Sequence, residues 1–209
     1  MVCLTFDDGL PCHYKKVVPE LTRRGMWGTF FVPILPINGG NDEVFDVRFR
    51  DDEWKKAISE GHEIGGHSVR HRKLKETPSG EVPMCQNLLR EILGVEPRSY
   101  AWPFCETNTY HIQVAEKHFD QARGGPLEKV PGTRPGLCLD KTYRHNWPSF
   151  AVGDWNIEEL IANPAPGVYM FHGVDQPGSW GNVSWDQFTR FLDAVKTSVT
   201  FAEYTKEKL

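Results

Sequence analysis

Short β-favouring runs alternate along the chain with segments that carry apolar residues at helical spacing. That alternation predicts a parallel sheet with crossover helices, an α/β fold. The first run, Met1 to Phe6, ends abruptly in Asp7, Asp8 and Gly9. Residues 14–24 read as the first helix, with Val17, Val18 and Leu21 as its apolar positions, Gly25 past its end and Pro19 weakening its front. Residues 28–32 form a second β-rich run, followed by a Pro/Gly/Asn stretch over 33–41 that reads as a long loop. A helix over 51–60, capped by Asp51 or Asp52, leads to a third strand over 63–66 that delivers His67. Helix 84–93, stopped at Gly94, precedes a fourth strand over 99–102, stopped by Pro103. Helical spacing returns over 109–118, and 121–123 is a short strand candidate. Residues 124–153 are rich in Gly and Pro, show no clear period and are expected to be irregular. The pattern ends with a strand over 168–172, a helix over 185–195 carrying Phe188, Phe191, Leu192 and Val195 on one face, and a closing strand over 199–201.

Composition narrows the function. At 209 residues, with 12% aromatic content to fill a core, the chain fits one globular domain over 1–209. A net charge of -4 and cationic clusters no longer than Arg70-His71-Arg72-Lys73 argue against nucleic acid or anionic lipid as partners. No apolar run approaches the roughly 20 residues of a membrane span. The visible N-terminus lacks a charged start and a long apolar segment, which gives a cytoplasmic expectation; secretion is the alternative if a leader precedes it. Five scattered cysteines, Cys3, Cys12, Cys85, Cys105 and Cys138, contain no Cys-x-x-Cys pair, so reduced thiols are expected. The oligomeric state is not legible.

Candidate chemistry lies at the ends of the β-runs. Taken singly, Asp7 and Asp8 are turn residues, and His67 with His71 are solvated surface groups. Taken together they change meaning. Two histidines at H-x3-H spacing and one carboxylate occupy three positions on a cation and leave room for water, as a catalytic metal requires. The second carboxylate is then a candidate base, and His172, at the end of a distant run, a candidate acid.

These residues resemble the polysaccharide deacetylases, the NodB-like domain of carbohydrate esterase family four. Thr5-Phe6-Asp7-Asp8-Gly9 is similar to the family's first motif and His67-Ser68-Val69-Arg70-His71 to its second. Trp102-Pro103-Phe104 is similar to its third and Phe171-His172 to its last, while Gly28 to Val32 resembles its second strand. The resemblance implies a distorted (β/α) barrel of about seven strands and a metal-dependent hydrolysis of acetyl groups from sugars. It implies Asp7 as general base, Asp8, His67 and His71 as metal ligands, and His172 as general acid. The divalent metal expected is zinc first, with cobalt, manganese or nickel as alternatives. A backbone amide near Phe104 would serve the oxyanion, with Trp102 beside it among the substrate contacts, although the Trp102 ring by itself reads as core. Many members carry an arginine where this chain has Ala101 and a glycine where it has Cys105. The missing arginine could come from Arg123, whose other reading is a surface charge, with Asp154 as its partner in a degraded fourth motif. Trp180, in a loop after His172, is a candidate sugar-contacting wall, whereas Trp155 and Trp185 read as core and Cys105 as a small filler. His13, His62, His111, His118 and His145 have no assigned partner. The leading expectation is an N-deacetylase acting on an amino-sugar glycan or oligosaccharide. An O-acetyl esterase of acetylated polysaccharide and an inactive carbohydrate-binding domain are the alternatives.

Overall fold

The structure, a computed structural model, describes residues 1–35, 50–126 and 144–207. Seven strands, β1 (Val2–Asp7), β2 (Gly28–Val32), β3 (Glu63–Gly66), β4 (Ser99–Ala101), β5 (Gln121–Pro126), β6 (Trp147–Ala151) and β7 (Gly167–Phe171), close into a barrel in sequence order. Every pairing is parallel, and β7 returns to β1, where Phe6 stands opposite both Phe30 and Phe171. The helices are α1 (Val18–Arg23), α2 (Asp51–Ser59), α3 (Glu81–Leu93), α4 (Thr109–Ala115), α5 (Ile157–Ala162), α6 (Trp185–Val195) and α7 (Phe201–Lys206). None of the described helices is long and apolar enough to cross a membrane.

The two-residue period of the strands sorts their side chains into two layers. Leu4, Phe6, Phe30, Ile64, Tyr100, Ala122, Phe150, Tyr169 and Phe171 pack outward against the helices in the larger apolar cluster. Cys3, Phe31, Ala101, Trp147 and Val168, on the opposite parity, fill the barrel interior with Phe201 and Tyr204 of α7. The Phe201 ring meets Phe31 at 6.0 Å and Trp147 at 6.4 Å, so α7 seals the barrel floor. Glycine is required at Gly65 because a side chain there would strike the Phe31 ring at 2.6 Å. The inward parity, carried to the C-terminal ends of the strands, assigns Asp7, His67, Arg123 and His172 to one end of the barrel axis.

Four expectations need correction. Residues 147–151, within the stretch expected to be irregular, form strand β6, and 127–143 of that stretch lie outside the described residues. The closing strand over 199–201 is an isolated bridge between Cys3 and Val199, after which Thr200 and Glu203 form a capping box that starts α7. The first helix begins as a π-helix over His13–Val17 and becomes α-helical where Pro19 removes an amide from the ladder. Helix α2 has Arg50 at its cap, with Asp51 and Asp52 in the first turn. The expected loop over 33–41 passes beyond the described residues after Leu35, and Cys138 also lies outside them.

Candidate active site

Asp8 follows the last residue of β1 and turns the chain with a φ of 76°, which brings its carboxylate over the barrel mouth beside His67 and His71. Asp8 Oδ1 lies 3.4 Å from His67 Nε2 and 3.1 Å from His71 Nε2. One ligand atom from each of the three lies within 4.8 Å of the others. His67 Nδ1 is 2.9 Å from the Ala101 carbonyl, an oxygen that only accepts, so the proton sits on Nδ1 and Nε2 presents its lone pair. Asp8 Oδ1 has no hydrogen bond of good geometry among the described residues despite the two nearby nitrogens. Without a cation, burial works to raise the Asp8 carboxyl, but His67 and His71 in their protonated forms, donating to it, and the charge of His172 outweigh burial and hold it well below the usual carboxylate range. One carboxylate and two imidazoles whose ligand atoms converge in this way form a donor set that fits a divalent cation.

The loop that carries His71 is fastened from below. Glu81, buried at the start of α3, accepts from the Val69 and Arg70 amides at 3.3 and 3.2 Å and pairs with the Arg70 guanidinium at 2.8 Å. Sequence reasoning passed over Glu81 because the predicted helix began three residues later. Ser68 Oγ accepts from the His71 amide at 2.8 Å.

Asp7 lies one residue earlier and faces inward, only 3% exposed. Its Oδ2 pairs with Arg123, and His67 Nε2 and His172 Nε2 stand 3.9 and 4.0 Å from the same oxygen. Its Oδ1 is buried without a hydrogen-bond partner among the described residues. Arg123 is fully buried, so the surface-charge reading of it falls. The guanidinium also contacts the Gly124 carbonyl and the Met170 sulfur, and lies over the Phe31 ring at 5.4 Å. Asp154 stands exposed in the turn after β6. Burial raises the Cys105 thiol, Arg123 opposes it, and the charges of Asp7 and Asp154 add to it.

His172 completes the group, with Nε2 3.8 Å from Asp8 Oδ2. Burial lowers its pKa, against the pull of both carboxylates. The Trp180 ring, 48% exposed, meets the His172 ring edge-on at 4.7 Å. Its loop is tied by the Gln176 amide to Asn182 Oδ1 at 2.8 Å and rests against Gly153, where a side chain would meet Gly181 and the indole. Phe104, 50% exposed, stands 4.7 Å from the His71 ring. The turn around Phe104 is closed by the Cys105 and Glu106 amides, and the Phe104 amide takes part in neither bond. The Trp102 ring departs from its place among the substrate contacts. Its strand parity turns it outward, it is 2% exposed, and Nε1 donates to the His145 carbonyl at 2.9 Å. Trp155 packs edge-on to Phe150 at 5.6 Å. The unassigned histidines all have contacts, among them His13 with the His172 carbonyl and His62 with Thr22 and the Gly28 amide. Around this mouth Asp8, Ser68, His71, Phe104 and Cys105 all hold positive φ without being glycine.

Two adjacent acids and three histidines thus converge at the C-terminal mouth of a parallel barrel. The chain belongs to the polysaccharide deacetylase family, whose sequence model matches residues 1–119. Similar solved structures include the peptidoglycan deacetylase PdaC from Bacillus subtilis, with a TM-score of 0.67 at 16% identity, covering 100% of this chain and 91% of that one. The Xyl-CE4 domain of a multidomain xylanase from the hindgut metagenome of Trinervitermes trinervoides gives 0.62 at 16% identity, covering 99% and 90%. A family 4 acetyl xylan esterase from Clostridium thermocellum, in complex with a cobalt ion, gives 0.59 at 18% identity, covering 97% and 88%. At these identities the likeness is one of fold.

Proposed function

We propose that the protein is a metal-dependent hydrolase that removes N-acetyl groups from an amino-sugar glycan or oligosaccharide. The observation that supports this most is the convergence of Asp8, His67 and His71 beside an Asp7 whose one oxygen is paired with Arg123 and whose other is unengaged. Asp8, His67 and His71 would hold a divalent cation, zinc in our reading, which supplies Lewis acidity toward an acyl oxygen and makes water more acidic. Asp7 Oδ1 is the atom that would take a proton from the attacking water, with Arg123 fixing the carboxylate through Oδ2. The Phe104 amide would donate to the oxygen that becomes negative at the tetrahedral carbon, a contact worth about 3–4 kcal/mol in other acyl-transfer sites. His172 would hand its proton to the amine nitrogen as the C–N bond breaks, so that acetate and a free amine leave. Arg123 and Asp7 act here as one unit, and Asp154 is retained as a weaker candidate for tuning them from the turn after β6. Trp180 offers an exposed indole beside the acid on which a sugar face can stack.

Among the neighbours, PdaC is named as a peptidoglycan deacetylase and the Clostridium thermocellum protein as an acetyl xylan esterase, so amide and ester are both tested. The experiment is acetate release by metal-stripped protein, with and without zinc or cobalt, on N-acetylglucosamine oligomers beside acetylated xylan. Metal-dependent release from the oligomers is the expected result. Release from xylan alone would make the protein an esterase, and sugar binding without release from either would make it a binding domain.

A further inference from the structure

Directly after the Asp7-Asp8-Gly9 corner the chain winds as a π-helix over His13–Val17, a form that recurs at functional sites. Two contacts run from this turn to the segment that follows β7. His13 Nε2 lies 2.7 Å from the His172 carbonyl oxygen, and Lys16 pairs with Asp175. His13 is the member that is wholly buried, edge-on to Phe6 at 5.6 Å and beside Phe30 at 5.9 Å. The carbonyl only accepts, so His13 carries its proton on Nε2 and donates, while its buried Nδ1 has no partner among the described residues. Burial pushes its pKa down to about 4, which keeps the ring a neutral donor. An apolar side chain would fill this space without desolvating an imidazole. The bond to His172 is what a histidine adds.

His172 itself needs such support. It follows Phe171, the last residue of β7 to pair with β1, and the next backbone bonds, between Val183 and both Gly173 and Asp175, begin only beyond it, so its own carbonyl is held by neither pairing. A working histidine is commonly oriented through its second ring nitrogen, yet His172 Nδ1 has no hydrogen-bond partner among the described residues. Its aim is therefore set by its backbone and by packing against Trp180.

We propose that His13 is a positioning residue that fixes the His172 peptide and thereby directs the imidazole at the acyl site. The catalytic part of this rests on the reading of His172 as general acid. The test compares His13→Leu, which lacks the donor, with His13→Gln, which restores an N–H at similar reach. kcat, KM, bound zinc and amide hydrogen exchange over residues 172–175 are measured for each. His13→Leu should lower kcat roughly 10- to 100-fold, as small misplacements of catalytic groups do, leave KM and bound zinc unchanged, and speed exchange in that segment. His13→Gln should recover most of both losses. If His13→Leu does not fold, His13→Met takes its place. Unchanged kcat and exchange in the donor-free variant would overturn the proposal, and so would a glutamine variant no better than leucine, because the ring would then act only as filler. The exchange measurement needs no turnover. A wild type that releases no acetate would therefore sink the deacetylase reading while exchange still decides whether His13 holds the His172 peptide.

Discussion

Replacing Arg123 with methionine removes a charge while keeping much of the volume, and it should expose how strongly the barrel depends on the Asp7–Arg123 pair. Asp7 and Arg123 have side chains 4% and 0% exposed, so the variant leaves a buried carboxylate with its main partner gone and only the His67 and His172 rings, at 3.9 and 4.0 Å, beside it. Breaking a buried pair from one side typically costs about 3–5 kcal/mol, because the remaining charge is uncompensated. Loss of the guanidinium over the Phe31 ring adds roughly 0.5–2 kcal/mol. The assay is urea unfolding followed by tryptophan fluorescence, in chelator so that metal binding does not enter the stability. The same substitution is then made in an Asp7→Asn background, where the carboxylate charge is already absent. There its cost should shrink by about 2–3 kcal/mol, the coupling expected of two groups in direct contact. Equal costs in the two backgrounds would show that Arg123 serves the barrel as packing alone, and the ion-pair reasoning would fail.

Asp8→Ala should lose bound zinc, whereas Asp7→Asn should keep zinc and lose acetate release; metal analysis beside turnover separates the two, and near-normal turnover in Asp7→Asn would remove Asp7 as the base. His62 is buried and its pKa is lowered to about 4, burial being the main cause, with Nδ1 accepting from the Gly28 amide at 3.2 Å. The unfolded chain takes up that proton first, so the stability it carries is present above pH 6.5 and lost as pH falls toward 4, by up to roughly 3 kcal/mol. Urea unfolding across that window should show a flatter slope for His62→Gln, and an identical slope would refute the assignment. Trp180→Ala should raise KM for N-acetylglucosamine oligomers roughly 5- to 30-fold if one sugar face stacks on the indole, taking about 1–2 kcal/mol, the lower part of the range for a nucleobase on an aromatic side chain; unchanged KM and kcat would remove the wall.

Much of this was legible from the chain itself because the candidate site residues stand at the ends of strongly β-patterned runs. Asp7, His67 and His172 each follow or close a run whose residues were clear from composition, and the order of the runs became the order of the strands. Strand β6 was hidden because Pro148 and Ser149 interrupt its apolar pattern, though all five residues are buried once the barrel closes. Helix α7 was misread because Val199 and Phe201 look like a strand end, although Thr200 and Glu203 already spelled a capping box. Trp102 could not be directed by sequence alone, since one residue of strand parity decides between the barrel mouth and the helix layer. Arg123 and His13 share a different difficulty. Their partners lie 116 and 159 residues away, and only the closed barrel brings each pair together.

The positive φ angles around the mouth set two selective pressures against each other. A non-glycine residue held in such a conformation carries about 1–3 kcal/mol of strain, and Asp8, Ser68, His71, Phe104 and Cys105 all do so within reach of the reacting groups. A library selected for thermal tolerance alone would drift toward glycine or asparagine at these five positions and discard the Asp8 carboxylate and the His71 imidazole along the way. One selected for turnover would hold them fixed and find its stabilising changes at the far end of the barrel, around α7. The wider the gap between the sequences recovered from the two selections at the mouth, the more of the enzyme's marginal stability is committed to its chemistry.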